Sequence, residues 1–337
     1  PAPPGPAPCA ARRGWPPPSS NVPTAPPFKR ANILILPCPV RNPGVWLPGQ
    51  EILFSVTSIE FSSDIDLRTD GATPTLDVHR SVSINGRGTF CLKGDKLTLT
   101  STSSEASLNQ LTVNAQVEVL GAENLQFRSC TFGDLATTPA VKVVGGVGTT
   151  MNLCLLERSD VGLNTSGGAV VTMQSCDVTT ERGAQVSGAT LFLSAGTFTN
   201  ALEGVNATNA TLDIEETRFE VAGSPCLFYF TTSTGHSLAI DDATFVTPNM
   251  GINACGTVPA DVFVRGSRFT DTGTGVQFNY TVGTWQATVD GNSFTAAGAA
   301  SVGIKVVRAS MTLGYEEAWG LANRFTGYAS GLDVVYP

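Results

Sequence analysis

From residue 125 onward one apolar pattern recurs along the chain. Two apolar residues stand two apart, two spacers follow, then a small residue, one more spacer and an aromatic or aliphatic anchor. Leu125-x-Phe127 leads to Cys130-x-Phe132, Val171-x-Met173 to Cys176-x-Val178, Leu191-x-Leu193 to Gly196-x-Phe198, and Leu212-x-Ile214 to Thr217-x-Phe219. Leu238-x-Ile240 then leads to Ala243-x-Phe245, Val262-x-Val264 to Ser267-x-Phe269, and Ala287-x-Val289 to Asn292-x-Phe294. A second element trails several anchors: Gly204-Val205 after Phe198, Gly251-Ile252 after Phe245, Gly275-Val276 after Phe269 and Gly331-Leu332 after Phe325. Apolar residues two apart have the period of a strand, and the Gly, Asn, Ser and Asp between them mark turns.

Successive anchors from Val178 to Phe294 are 20, 21, 26, 24 and 25 residues apart. That length holds two strands with their turns, with room for a third, which is one unit of a solenoid. Alternation turns one row of each strand inward, so stacked units pile Val, Ile, Leu and Phe into continuous columns. A leucine-rich repeat needs its own Leu and Asn signature, which is missing, and a propeller needs about 40 residues per blade. The spacing therefore predicts an all-β chain folded as a parallel β-helix, each coil hydrogen-bonded to those above and below.

Composition limits what such a solenoid can do. Only 14% of the 337 residues are charged and the net charge is -8. Five lysines (Lys29, Lys93, Lys96, Lys142, Lys305) and scattered arginines make no basic stripe, so nucleic acid is not an expected partner. The apolar runs, such as Ile33 to Leu36, are far shorter than the roughly 20 residues of a membrane span. The opening at Pro1, without a charged and then apolar leader, reads as a mature or trimmed product. Neutral Ser, Thr, Asn and Gly on repeated outer walls account for the shortage of charge.

The first 27 residues hold 11 of the 21 prolines. Residues 1–28 therefore read as an extended arm, a plain linker or a strap carrying sugars or docking on another subunit. Residues 29–49 read as a cap or connection and 50–337 as the β-helix. Of the eight cysteines, none forms a CxxC, and with His79 and His236 as the only histidines no zinc set is expected. Cys9 could join chains or pair with Cys38. Cys130 and Cys176, at the small position of the repeat, read as core fillers, which leaves Cys226 and Cys255 as further disulfide candidates.

Asn292-Ser-Phe294, Asn323-Arg-Phe325 with Gly331-Leu332, and Val82-Ser-Ile84-Asn85-Gly86-Arg-Gly88 resemble coils of the right-handed parallel β-helix proteins of the pectate-lyase-like superfamily. The resemblance covers roughly residues 50 to 335. It implies the fold and leaves activity open, because the superfamily includes lyases, hydrolases, phage tailspikes, adhesins and surface proteins.

Hydrolases of that group resemble one another in an order of Asn-Thr-Asp, Asp-Asp, Gly-His-Gly and Arg-Ile-Lys, of which this chain has fragments. Asp241-Asp242 is present, but His236 precedes it and Gly303-Ile304-Lys305 lacks the arginine. Asp241 and Asp242 fill the two spacers of the repeat, where Glu215-Glu216 and Arg265-Gly266 sit elsewhere, so they read as a solvated turn. A lyase would need calcium carboxylates and a base. Asp64, Asp66, Asp70 and Asp77 alternate with apolar residues as the outer face of a strand does.

Four sequons occur, at Asn164, Asn206, Asn209 and Asn279, and the solenoid phase predicts one flank for Asn206 and Asn279. The expectation is a secreted, non-catalytic structural glycoprotein of the cell surface or extracellular space, with no cofactor or metal. It would self-associate through solenoid ends and arm into a fibril, coat or matrix, with possible glycan partners. The alternatives are a lyase or glycoside hydrolase acting on acidic polysaccharide, with calcium in the lyase case, and a glycan-binding adhesin or spike.

Overall fold

The computed structural model describes residues 33–36, 58–61, 64–66, 75–79, 81–223, 225–258, 260–281, 284–296, 298, 301–307, 310–313 and 323–335. All of them belong to one unit, Asn32–Pro337. The proline-rich arm, with Cys9, and most of the connection that follows, with Cys38, lie outside the described residues.

From Gln126 onward each coil gives one strand to each of three parallel sheets. The first sheet has thirteen strands, from Ile33–Leu36 and Ser58–Phe61 to Thr284–Asp290 and Ser310–Leu313. The second runs from Ile65–Asp66 through Thr197–Asn200 and Arg218–Val221 to Arg324–Thr326. The third runs from Thr75–Val78 through Glu203–Thr208 and Leu227–Thr231 to Ser330–Val335. Early in the chain the strands Cys91–Thr100 and Thr112–Leu120 serve both second and third sheets, bending at a register shift between Lys93 and Lys96. The fold is the expected parallel β-helix, with three strands per coil. Among the described residues the helical structure is one 3-10 turn, Ser101–Ser103.

The inward columns follow the repeat. On the first sheet Ile59, Ile84, Leu108, Phe127, Met151, Met173, Leu193, Ile214, Ile240, Val264 and Val289 stand in register and are buried. The anchors form the column of the second sheet. Phe198, Phe219, Phe245, Phe269, Phe294 and Phe325 stack with ring centroids 5.1, 5.1, 4.8, 4.6 and 4.9 Å apart. Parallel pairing imposes the spacing, because in-register neighbours sit about 4.8 Å apart; Phe198 is tilted by 33° on Phe219 and the later pairs lie within 14° of parallel.

The trailing glycines are explained by the same column. A Cβ on Gly204 would lie 2.9 Å from Phe219, one on Gly251 2.7 Å from Phe269, and one on Gly275 2.5 Å from Phe294. Each glycine leaves room for the ring of the following coil, so anchor and glycine recur together.

The two spacers of the repeat are a tight corner between first and second sheets. Its second residue is left-handed in nine coils: Gln110, Ser129, Leu153, Ser175, Ala195, Glu216, Asp242, Gly266 and Gly291, with φ between 48 and 66°. That conformation costs a non-glycine residue about 1 kcal/mol. In return the ladder continues around the bend: Ser175 N–H donates to Ser194 C=O at 2.8 Å, Glu216 N–H to Asp241 C=O at 3.1 Å and Asp242 N–H to Arg265 C=O at 3.0 Å. Backbone groups at the corner therefore stay paired from coil to coil.

Candidate functional site

Asp241 and Asp242 adjoin at one end of a strand, and His236 stands at its other end. Asp242 is the exposed left-handed residue of the corner, as the solvated-turn reading expects. Asp241 is the last residue of the strand Ser237–Asp241 and half-buried on the outer side of the first sheet. Burial raises its carboxyl pKa, Arg265 opposes that, and Asp213 and Asp242 add to it. His236 precedes the same strand at its other end, about 16 Å away by strand rise, with Nε2 3.0 Å from Ser233 Oγ. A shared acid–base pair needs both groups within reach of one bond.

The early aspartates are also outer-wall groups. Asp64 Oδ1 accepts from Cys91 N–H at 2.9 Å, and Asp66 and Asp77 are exposed beside buried Ile65 and Val78. Asp70 lies outside the described residues. Among the described residues no group of three or more His, Cys, Asp or Glu side chains could hold a metal ion, and no helix could cross a membrane.

The small position of the repeat is a ladder of its own. Cys130, Cys154 and Cys176 stack in three successive coils, all buried, and their thiols donate to the carbonyls of Leu108, Phe127 and Met151 in the preceding coil at 3.3 to 3.4 Å. Two later coils use amides instead. Asn292 Nδ2 donates to Val264 C=O at 2.8 Å, Asn323 Nδ2 to Val289 C=O at 2.7 Å, and Asn323 Oδ1 accepts from Asn292 N–H at 3.0 Å. The core role expected for Cys130 and Cys176 extends to Cys154.

Cys226 and Cys255, expected as disulfide candidates, are free thiols, so that expectation is corrected. Cys226 is fully buried and level with Gly251 on the neighbouring strand, where Leu227 pairs with Ile252. Cys255 is four residues farther along, about 13 Å by strand rise, and lies in an outward row. A disulfide needs Cα atoms within about 7 Å. Burial raises the thiol pKa to about 12 at Cys226 and about 11 at Cys255.

The third sheet carries the most uniform outer wall. One outward row reads Asn164, Gln185, Asn206, Phe228, Asn253 and Gln277 in register. The row beside it reads Ser166, Ser187, Thr208, Phe230, Cys255 and Asn279. Neither row contains a charged residue across these six coils. Below them Glu118 lies between Lys96 and Lys142, bonded to each at 2.8 Å, and those contacts hold its carboxyl below the usual carboxylate range.

The sequons divide accordingly. Asn164 and Asn206 share one row and Asn279 stands in the next, so the flank expected for Asn206 and Asn279 is one sheet, in adjacent rows. Asn209 is a left-handed corner residue whose side chain is tied to Thr232, accepting from its N–H at 2.7 Å and donating to its hydroxyl at 2.9 Å.

Phe228 and Phe230 are the outward residues that sequence reasoning missed. Leu227-Phe228-Tyr229-Phe230 reads as one apolar run, and only the register shows that Leu227 and Tyr229 are buried while the two phenylalanines are not.

No family model matches the chain, and no curated protein matches it. Among solved structures it is similar to the Streptococcus pneumoniae surface protein and adhesin PfbA, at 10% identity and a TM-score of 0.40, over 84% of this chain and 92% of that one.

Proposed function

We propose that this chain is a non-catalytic β-helical shaft of a cell-surface or extracellular protein, and that it works by presenting its outer walls to a partner. One observation carries this reading: the third sheet offers two in-register rows of amides, hydroxyls, phenyl rings and one thiol, six coils tall and free of charged side chains. Such a wall, about 24 Å long at one strand spacing per coil, suits recognition along its length. Acid–base chemistry instead needs titratable groups gathered at one point. N-glycosylation at Asn164, Asn206 or Asn279 would place sugars on this same wall, and intact-mass spectrometry of native material reads it directly. The test is incubation with neutral and acidic polysaccharides, with and without calcium, following retention and new chain ends together. Retention without new ends is the expected result; release of reducing or unsaturated ends refutes the reading.

A second reading, end-to-end self-association, is favoured by the last described coil. Phe325 is 38% exposed and Leu332 47%, whereas Phe294 and Ile304 in the coil before are buried. Concentration-dependent sedimentation that Leu332→Lys abolishes supports a fibril or coat subunit; a single monomeric species at every concentration refutes it.

A further inference from the structure

Within the third wall the side chains are not equivalent. Phe228 stands between Asn206 and Asn253 in one row, and Phe230 between Thr208 and Cys255 in the next. The two rings are partly exposed and nearly parallel, with an interplanar angle of 10° and centroids 6.5 Å apart. Each ring exposes apolar area that a bound ligand would remove from water. The amides around them supply the opposite chemistry, each side chain carrying two donors and an acceptor. Asn206 Nδ2 donates to Glu203 Oε2 at 3.2 Å, which fixes that amide, and Asn253 Oδ1 is buried without a hydrogen-bond partner among the described residues.

We propose that the wall around Phe228 and Phe230 is a binding site for a neutral glycan, a chain of uncharged hexoses. This rests on the reading of the shaft as a binding surface and goes beyond it by naming ligand class and place. Sugar rings present apolar C–H faces that lie on phenyl rings, and their edges carry vicinal hydroxyls that match Asn and Gln amides. From Asn206 to Asn253 the wall spans about 10 Å, room for two sugar rings, and Gln277 and Asn279 extend it by another coil. Charge decides between glycan types. A uronate or sulfated chain calls for Arg or Lys at the contact, and the two rows hold none between Lys142 and Lys305.

The test uses the whole chain produced without N-glycans, so that Asn206 and Asn279 carry no sugar of their own. Defined neutral oligosaccharides of two to six hexoses are titrated calorimetrically beside a uronate oligosaccharide of equal length. Phe228→Ala and Phe230→Ala are compared with Phe192→Ala, an exposed phenylalanine of the first sheet. At least one neutral series is expected to bind, unchanged in 0.5 M salt, with affinity about tenfold weaker in either third-sheet variant and unaltered in Phe192→Ala. All three substitutions lie outside the core, and circular dichroism confirms the fold.

No binding of any neutral series, a salt-sensitive preference for the uronate, or equal loss in Phe192→Ala overturns the proposal. So does a wild-type dimer that Phe228→Ala converts to monomer, because the wall would then pack against a second copy. New reducing ends in the same samples would instead refute the non-catalytic shaft, so the two failures are distinguishable.

Discussion

Gly275→Ala tests the link between glycine and ring that holds one coil on the next. The added Cβ would lie 2.5 Å from Cδ1 and 2.6 Å from Cε1 of Phe294, and 2.5 Å from the carbonyl oxygen of Gly303. The ring is wedged in a stack with Phe269 at 4.6 Å and Phe325 at 4.9 Å, and the carbonyl belongs to the adjoining strand, so neither neighbour can step aside alone. Overpacking of this kind costs about 1–3 kcal/mol. Replacing a strand glycine by alanine returns about 0.5–1 kcal/mol of conformational entropy. The net expectation is a loss of about 0–2.5 kcal/mol, centred near 1 kcal/mol.

Gly298→Ala is the control. Nothing lies within 4 Å of its Cβ position, and the expected change is neutral to about 1 kcal/mol stabilising. Guanidinium unfolding followed by far-UV circular dichroism, compared at constant slope, measures both variants. Combining Gly275→Ala with Phe294→Leu should recover at least about 0.5 kcal/mol as coupling. Equal stabilities for Gly275→Ala and Gly298→Ala, or strict additivity in the double variant, would show that the glycine does not clear space for the ring.

Three further outcomes are expected. Phe269→Ala, in the middle of the phenyl stack, should cost about 3–5 kcal/mol, and Phe325→Ala, at its exposed end, clearly less; equal losses in denaturant unfolding would contradict the stacked column. Glu118 has a folded-state pKa lowered by Lys142 and Lys96, so its contribution is present above the unfolded value of about 4.3 and is lost as pH falls through the folded value. Wild type and Glu118→Gln should therefore converge in stability towards acid pH, and curves that stay parallel would show that the two lysines do nothing. In native thiol labelling read by peptide mass, Cys130, Cys154, Cys176 and Cys226 should stay unmodified while Cys255 reacts slowly at alkaline pH. Rapid labelling of the first three would show that the corner column opens.

The parts of this fold that were legible in the sequence are those where an inward residue has no substitute. Anchors such as Phe245 and Phe269, the glycines that clear space for them and the small residues at Ala243 and Ser267 all answer to packing at one register, so they recur at fixed spacing. The corner was legible only as two spacers, because its left-handed position is held by Leu153, Ala195 and Glu216 as readily as by Gly266. Ladder hydrogen bonds, which any residue can make, select that conformation.

The coil at Met151 and Cys154 escaped the pattern because Thr149 stands where its neighbours carry Leu125 and Val171. The third sheet was legible through its glycine-apolar pairs, from Gly204-Val205 to Gly331-Leu332, whereas its outer wall was not, because nothing constrains what faces water. Asp241 and Asp242 drew attention as a motif, yet the register places them on a corner shared with Glu215 and Glu216. Phe228 and Phe230 drew none, because an apolar run looks buried until its partner strand is known.

Chemical-shift mapping of the glycan-free chain with its tightest neutral oligosaccharide locates the binding surface. Perturbations are expected along the third sheet at Asn206, Thr208, Phe228, Phe230, Asn253 and Gln277, with the oligosaccharide recovered intact. Perturbations gathered instead at Asp213, Asp241 and Asp242 on the first sheet, or cleavage of the oligosaccharide during the titration, would contradict a non-catalytic binding wall on the third sheet.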